Sequence, residues 1–167
     1  MPVLDSHGIS INMVAGWDGE IYLPSPAVSV PSGPNAGAGD LRAAALEPVV
    51  PIVHLANVAL FPGRGDYGGG AVESLGAEGV FIALLEHPTS ELGSALFQNA
   101  GLPWPLAPED FSRFTLQRRI GGQAGCQRFF SVDGRAFCLY AVIGSYAARA
   151  SLVQSVNRVL ATIRITA

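Results

Sequence analysis

Cys126-Gln-Arg-Phe-Phe-Ser-Val132, Asp133-Gly134 and Arg135-Ala-Phe-Cys-Leu-Tyr-Ala-Val-Ile143 read together as two strands joined by a two-residue turn. Asp-Gly between apolar runs is a strong hairpin signal, because a tight turn of this kind needs positive φ at both central residues. With Asp133 and Gly134 as the loop, Cys126 faces Ala141 and Cys138 faces Phe129. Facing residues share a side of the sheet and the side alternates at each step, so the two thiols point to opposite faces and no disulfide is expected. Ala136 to Ile143 is apolar at every position, which predicts a central strand covered on both faces. Downstream, Ser145 is expected to cap a helix whose apolar positions Ala148, Leu152, Val156, Val159 and Ile163 follow helical spacing. Ile163 to Thr166 then reads as a short closing strand.

Working outward from this hairpin, the pattern weakens. Phe114 to Ile120 is a candidate strand. Thr89 or Ser90 is expected to start a short helix through Asn99, with Gly101 and Pro103 beyond its end. Val80 to Glu86 is a strand, expected to pair with Ala71 to Leu75 around Gly76-Ala-Glu-Gly79. Pro51 to Phe61 is another strand, ending in the glycine-rich loop Pro62 to Gly70. Gly8 to Val14 and Glu20 to Leu23 are expected to form a hairpin around Gly16-Trp-Asp-Gly19. The stretch 24–48 carries five of the twelve prolines and reads as a flexible loop or insert, with a possible helical turn over Leu41 to Leu46. Together these elements predict an α+β fold, a largely antiparallel sheet of hairpins with two segregated helices, in a single domain spanning 1–167.

Composition bounds the function classes. Apolar residues make up 49% and charged residues 14% of the 167, as in a globular domain and unlike a disordered chain. No apolar run approaches the roughly 20 residues that cross a bilayer, and Met1-Pro-Val-Leu-Asp5 lacks the basic and apolar regions of a secretory signal. The expectation is a cytoplasmic protein without membrane insertion. Every basic residue is arginine, so chemistry that needs a lysine Schiff base or a phosphate-loop lysine is excluded. The net charge of −3 hides a polar split. Met1 to Asp110 holds twelve acids and two arginines; Phe111 to Ala167 holds eight arginines and the single acid Asp133. Charge distribution bears on association more than on fold.

Gln123-Ala-Gly-Cys-Gln-Arg-Phe-Phe130, Gly134 to Ser145 and Val156-Asn-Arg-Val-Leu-Ala-Thr-Ile163 resemble a group of small uncharacterised actinobacterial proteins. The strand–strand–helix–strand ending, with Gly16-Trp17 in an N-terminal hairpin, resembles the PsbP-like fold. That resemblance implies a sandwich around an antiparallel sheet, a scaffold that serves extrinsic photosystem subunits, small lipoproteins, Ran-binding adaptors and secretion-effector chaperones. It implies an interaction module and brings no catalytic residues. The proline-rich insert departs from the compact pattern.

Candidate sites follow from the same residues. Gly63-Arg-Gly-Asp-Tyr-Gly68 is a literal GxGxxG after a strand, and Glu86 lies near where a dinucleotide fold places its ribose-binding acid. Such a loop must open a helix whose N-terminus meets the pyrophosphate, and the glycine-rich residues that follow are poor helix formers. A nucleotide-binding enzyme using Gly63, Gly65, Gly68 and Glu86 is therefore an alternative only. His7, His54 and His87 have no metal-ligand spacing, so no metal and no cofactor is expected; His54 in an apolar strand reads as a satisfied or edge histidine. Arg113, Arg118, Arg119, Arg128 and Arg135, interleaved with Phe114, Phe129 and Phe130, make the sharpest surface candidate, with Trp104 beside it. Arginine with aromatics is also a nucleic-acid pattern, but a pI near 5.5 argues against a phosphate-tracking surface. The leading expectation is a non-catalytic protein-interaction module (adaptor, chaperone or assembly component) that binds another protein or itself. Nucleic-acid binding through the arginine-rich third is the alternative.

Overall fold

Strand β7, Arg135–Ile143, organises the molecule. It lies inside a five-stranded antiparallel sheet of order β3-β4-β5-β7-β6, made with β3 (Asp18–Tyr22), β4 (Ile52–Ala56), β5 (Val80–His87) and β6 (Ala124–Val132). A second, three-stranded sheet of order β1-β2-β8 consists of β1 (Val3–Ser6), β2 (Ile9–Asn12) and β8 (Ile163–Ile165). Among the described residues there is one α-helix, α1 (Arg149–Leu160). The computed structural model describes residues 2–24 and 48–167; the insert expected over 24–48, save its end residues, and the turn expected over 41–46 lie outside them. The fold is α+β, sheet-rich and antiparallel throughout its strand pairs. None of the helices described is long and apolar enough to cross a membrane.

The Asp133-Gly134 hairpin forms as expected. Both turn residues have positive φ, Cys126 faces Ala141 and Phe129 faces Cys138. Both cysteines are free and buried, in separate apolar clusters on opposite faces of the sheet. On one face, odd-numbered residues of β4 and β7 and even-numbered residues of β5 meet Leu152, Val153, Val156, Val159 and Leu160 of α1, together with Ile9, Ile11 and Ile163 of the small sheet. On the other face Phe81, Ala83, Cys138, Tyr140 and Val142 are covered by Leu60, Tyr67, Leu75, Leu116 and Ile120, all from loops. The period-two alternation of a strand produces this division. Both faces of β7 are thus dry, as its uninterrupted apolar sequence requires.

Four local expectations give way to this arrangement. The N-terminal hairpin turns at His7-Gly8, both at positive φ, pairing β1 with β2; β3 crosses to the large sheet and pairs with β4. Asp18-Gly19 starts a strand because the two sheets approach there. A Cβ on Gly19 would lie 2.7 Å from Leu55 and 2.9 Å from Leu4. The Ala71 to Leu75 strand is a short 3-10 turn, Val72–Ser74, since β4 and β7 already occupy both edges of β5. The second helix is replaced by two 3-10 turns, Thr89–Glu91 and Ala95–Phe97. Only Phe97 of that segment is buried, so an unbroken helix there would have no apolar stripe to offset its nucleation, and Gly93 falls mid-way. Phe114 to Ile120 forms turns whose Leu116 and Ile120 seal the sheet.

The glycine-rich loop is a lid seated on the sheet. Gly68 has φ +84, and a Cβ there would meet the Phe81 ring at 2.4 Å, whereas Gly63 has φ +83 and open space around it. Gly63→Ala is therefore expected to cost only the left-handed strain, about 1 kcal/mol. Gly68→Ala adds overpacking and should cost about 2–4 kcal/mol in all. Urea unfolding of the two variants checks this, and equal losses would show that the lid does not rest on Phe81.

Candidate functional site

Two polar clusters stand at opposite edges of the large sheet. The first lies over β3 and β4. Strand alternation points Glu20, Tyr22 and His54 to the loop-covered face, where the glycine-rich loop folds down on them. His54 is fully buried. Its Nε2 donates to the Asp66 carbonyl at 2.8 Å, and its Nδ1 accepts from Arg64 Nε at 3.1 Å. These partners require the neutral ring with hydrogen on Nε2 alone. Burial lowers the His54 pKa, and the Arg64 charge acts the same way. The Arg64 guanidinium, its side chain 7% exposed, pairs with Glu20 and donates to the Phe61 carbonyl. Tyr22 donates to Asp66 Oδ1 at 3.2 Å, its pKa raised first by burial and then by Asp66. A pocket of about 350 Å³ opens between Glu20, Tyr22, Leu60 and Arg64.

Chemically this cluster is a clasp. Both nitrogens of His54 are engaged, so the ring is not placed to take a proton from a substrate. The loop turns on itself as well: Gly65 N–H donates to the Gly69 carbonyl and Gly68 N–H to the Gly65 carbonyl, each at 2.8 Å. A 3-10 turn follows it where a dinucleotide fold needs an α-helix. Glu86 is elsewhere. It sits five residues beyond Phe81 on β5, about 17 Å along the strand, and holds Arg135 through two hydrogen bonds of 2.9 and 2.6 Å. The structure does not bring Gly63, Gly65, Gly68 and Glu86 together.

The second cluster borders β6. Ser112 and Gly125 exchange two backbone hydrogen bonds of 2.9 Å, tying the 112–123 loop to the outer edge of that strand. Gly125 has no side chain because the Thr115 carbonyl would stand 2.0 Å from its Cβ. Gln123 Nε2 donates to the Val72 carbonyl at 2.7 Å and joins this loop to the glycine-rich one. The Tyr146 N–H donates to the Gly122 carbonyl at 2.7 Å and brings the start of α1 alongside. A cleft of about 360 Å³ results, lined by Arg113, Phe114, Arg119, Ile120, Gly121, Gly122 and Gln123. Arg119 lies over the Phe114 ring at 4.7 Å, and Arg113 and Arg149 both lie over Tyr146, at 5.0 and 4.2 Å.

The arginines singled out from the sequence separate into two groups. Arg135 pairs with Glu86 in a nearly buried bridge, Arg128 with Asp110 at 3.0 Å and Arg118 with Glu73 at 3.7 Å. Arg113, Arg119 and Arg149 have no carboxylate partner among the described residues. Trp104 is half exposed and donates to the Asn157 carbonyl near the far end of α1, about 12 Å along the helix from Arg149. It does not join the cleft. Sequence reading missed Arg149 and Tyr146, which reach Arg113 only because β7 delivers the helix start beside the 112–123 loop. It also missed the clasp, although Glu20 opposite His54 is readable once β3 is paired with β4.

The described residues contain no group of three or more His, Cys, Asp or Glu able to hold a metal ion. No family model, curated protein or solved structure matches the chain.

The clasp fixes a pH dependence. Because folding lowers the His54 pKa, the unfolded chain binds the extra proton, and stability falls as pH drops below the unfolded value near 6.5. The stability advantage of the native protein over His54→Gln is expected to shrink between pH 7 and 5, by up to about 1.4 kcal/mol per pH unit. Urea midpoints across that range read it. A constant difference would overturn the neutral assignment.

Proposed function

We propose that the chain is a non-catalytic interaction module that docks an acidic surface of another protein on the arginine–aromatic cleft of Arg113, Phe114, Arg119, Tyr146 and Arg149. The observation that carries it is the sorting of the arginines. Among the described residues Arg64, Arg118, Arg128 and Arg135 each have a carboxylate partner, Arg135 lying over Phe137 as well. Arg158 and Arg164 have neither a carboxylate nor a ring, and Arg113, Arg119 and Arg149 alone lie over aromatic rings with no carboxylate. Arginine held flat on a ring keeps its donors free at low conformational cost, which suits recognition of carboxylates. Phe114, under Arg119, is 71% exposed, as expected of an anchor residue at an interface.

The groups best suited to chemistry support a binding role. His54 is clasped, and burial raises the Cys138 thiol pKa and pushes that of Cys126 up to about 11. An adaptor, chaperone or assembly component of the cytoplasm fits this chemistry. The C-terminal order β6–β7–α1–β8 keeps the strand–strand–helix–strand ending of the PsbP-like resemblance, whose other feature, Gly16-Trp17 in an N-terminal hairpin, instead lies between strands of different sheets. A scaffold of that kind serves mainly as a platform for partners.

Nucleic acid is the second reading, because a guanidinium stacked on an exposed phenyl ring also suits bases. Retention of proteins from a lysate of the source organism at low salt separates the two. The wild-type protein is expected to hold a nuclease-resistant protein partner that elutes on raising salt, and Arg113→Ala plus Arg119→Ala to lose it at least tenfold. Loss of all retained material on nuclease treatment would transfer the cleft to nucleic acid. Undiminished retention by the double variant would sink both readings.

A further inference from the structure

We infer that the cleft receives a second copy of this chain, entered by Phe61 of the neighbouring molecule in a head-to-tail contact. This rests on the reading of the cleft as a protein-docking surface and names the partner. The occupant is argued from charge, shape and placement. Phe61 is 70% exposed, although it directly follows residues that the loop pins in place. The Leu60 N–H donates to Asp18 Oδ2 at 2.8 Å, and the Phe61 carbonyl accepts from Arg64, itself held by Glu20. The ring is thus presented on a fixed backbone. The clasp that holds this segment carries Asp18, Glu20 and Asp66 against one arginine, a local charge of −2. The cleft, about 360 Å³ and roomy enough for one phenyl ring, is lined by Arg113 and Arg119, and Arg149 stands beside it on the Tyr146 ring that Arg113 shares. Each face carries an exposed phenylalanine and the charge that the other lacks.

Placement makes the contact intermolecular. Glu20 is on β3 and the cleft borders β6, the two outer strands of the five-stranded sheet, four strand spacings or about 19 Å apart. At physiological ionic strength that exceeds the screening length of about 8 Å, so the faces do not satisfy one another within one molecule. Two different surfaces that complement each other form a heterologous contact. Such contacts propagate into a ring if the rotation closes and into a filament if it does not.

The experiment uses two variants of exposed residues, each disabling one face. Phe61→Arg puts a cation where the ring must enter the cleft, and Arg113→Ala plus Arg119→Ala removes the cleft's charge. Sedimentation velocity at low salt is expected to show concentration-dependent assembly for the wild type, dispersed by raising salt, and monomers for each variant alone. An equimolar mixture of the two variants should give a 1:1 dimer and stop there, because one intact contact remains. Near-ultraviolet circular dichroism matching the wild type confirms that both variants are folded. A wild type that stays monomeric at low salt, a variant that still assembles alone, or a mixture that stays monomeric would each overturn the inference. If the wild type is monomeric yet retains a host protein through Arg113 and Arg119, the docking surface stands and only the second-copy assignment falls.

Discussion

The burial of β7 on both faces and along both edges is the constraint from which the rest of the structure follows. A strand paired with β5 on one side and β6 on the other, apolar at every position from Ala136 to Ile143, cannot leave either face of the sheet wet. Helix α1 and the small sheet cover one face. The other needs a cover as well, and the described chain supplies loops for it: Tyr67 and Leu75 from the glycine-rich segment, Leu116 and Ile120 from the arginine-rich one. Loops over an apolar surface carry backbone groups that must be paired. Hence the polar fastenings on this side: His54 on the Asp66 carbonyl, Gln123 on the Val72 carbonyl and Tyr140 Oη accepting from the Gln117 N–H. The clasp around His54 is a consequence of that requirement, and both polar clusters are set by where the covering loops end.

Legibility in the sequence follows the range of the information. The register of the β6–β7 hairpin was readable to the residue, although β6 starts at Ala124 and not at Cys126, because an Asp-Gly turn is local and its register is fixed by loop length. The apolar run of β7 foretold two covered faces, and the spacing of Leu152, Val156 and Val159 foretold α1. What the pattern could not say was what covers the second face. It gave no element for that role, and loops fill it. The N-terminal hairpin went astray for a related reason. Asp18-Gly19 looks like a turn, but the glycine is there because Leu4 and Leu55 close over it from two different sheets. A close approach between distant segments leaves only a glycine in the sequence, and a glycine has many meanings.

The charge split was legible as composition and opaque as function. Several arginines of the positive third belong to the fold. Arg135 anchors β7 to Glu86 and to the Thr166 carbonyl, Arg128 holds Asp110, and Arg164 donates to the Ala161 carbonyl at the end of α1. The Arg135 and Arg128 pairings join residues far apart in the chain and could not be apportioned from local pattern. Arg149 shows the limit from the other side. It stands outside the dense run from Arg113 to Arg135, yet it shares the Tyr146 ring with Arg113, because Tyr146 is tied by its own backbone to Gly122.

That sharing is one that lysine could not reproduce. An ammonium is a compact, strongly hydrated charge, whereas a guanidinium is planar and can lie on a ring while its edge still donates. Two cations over a single tyrosine, at 5.0 and 4.2 Å, repel each other, and the ring's negative faces offset only part of that. A carboxylate arriving between them would relieve the repulsion and gain charge-assisted hydrogen bonds from both. The same geometry built from lysines would lose the stacking and with it the alignment. On the proposed reading of the cleft, the repulsion between Arg113 and Arg149 over one ring is what an acidic partner would relieve.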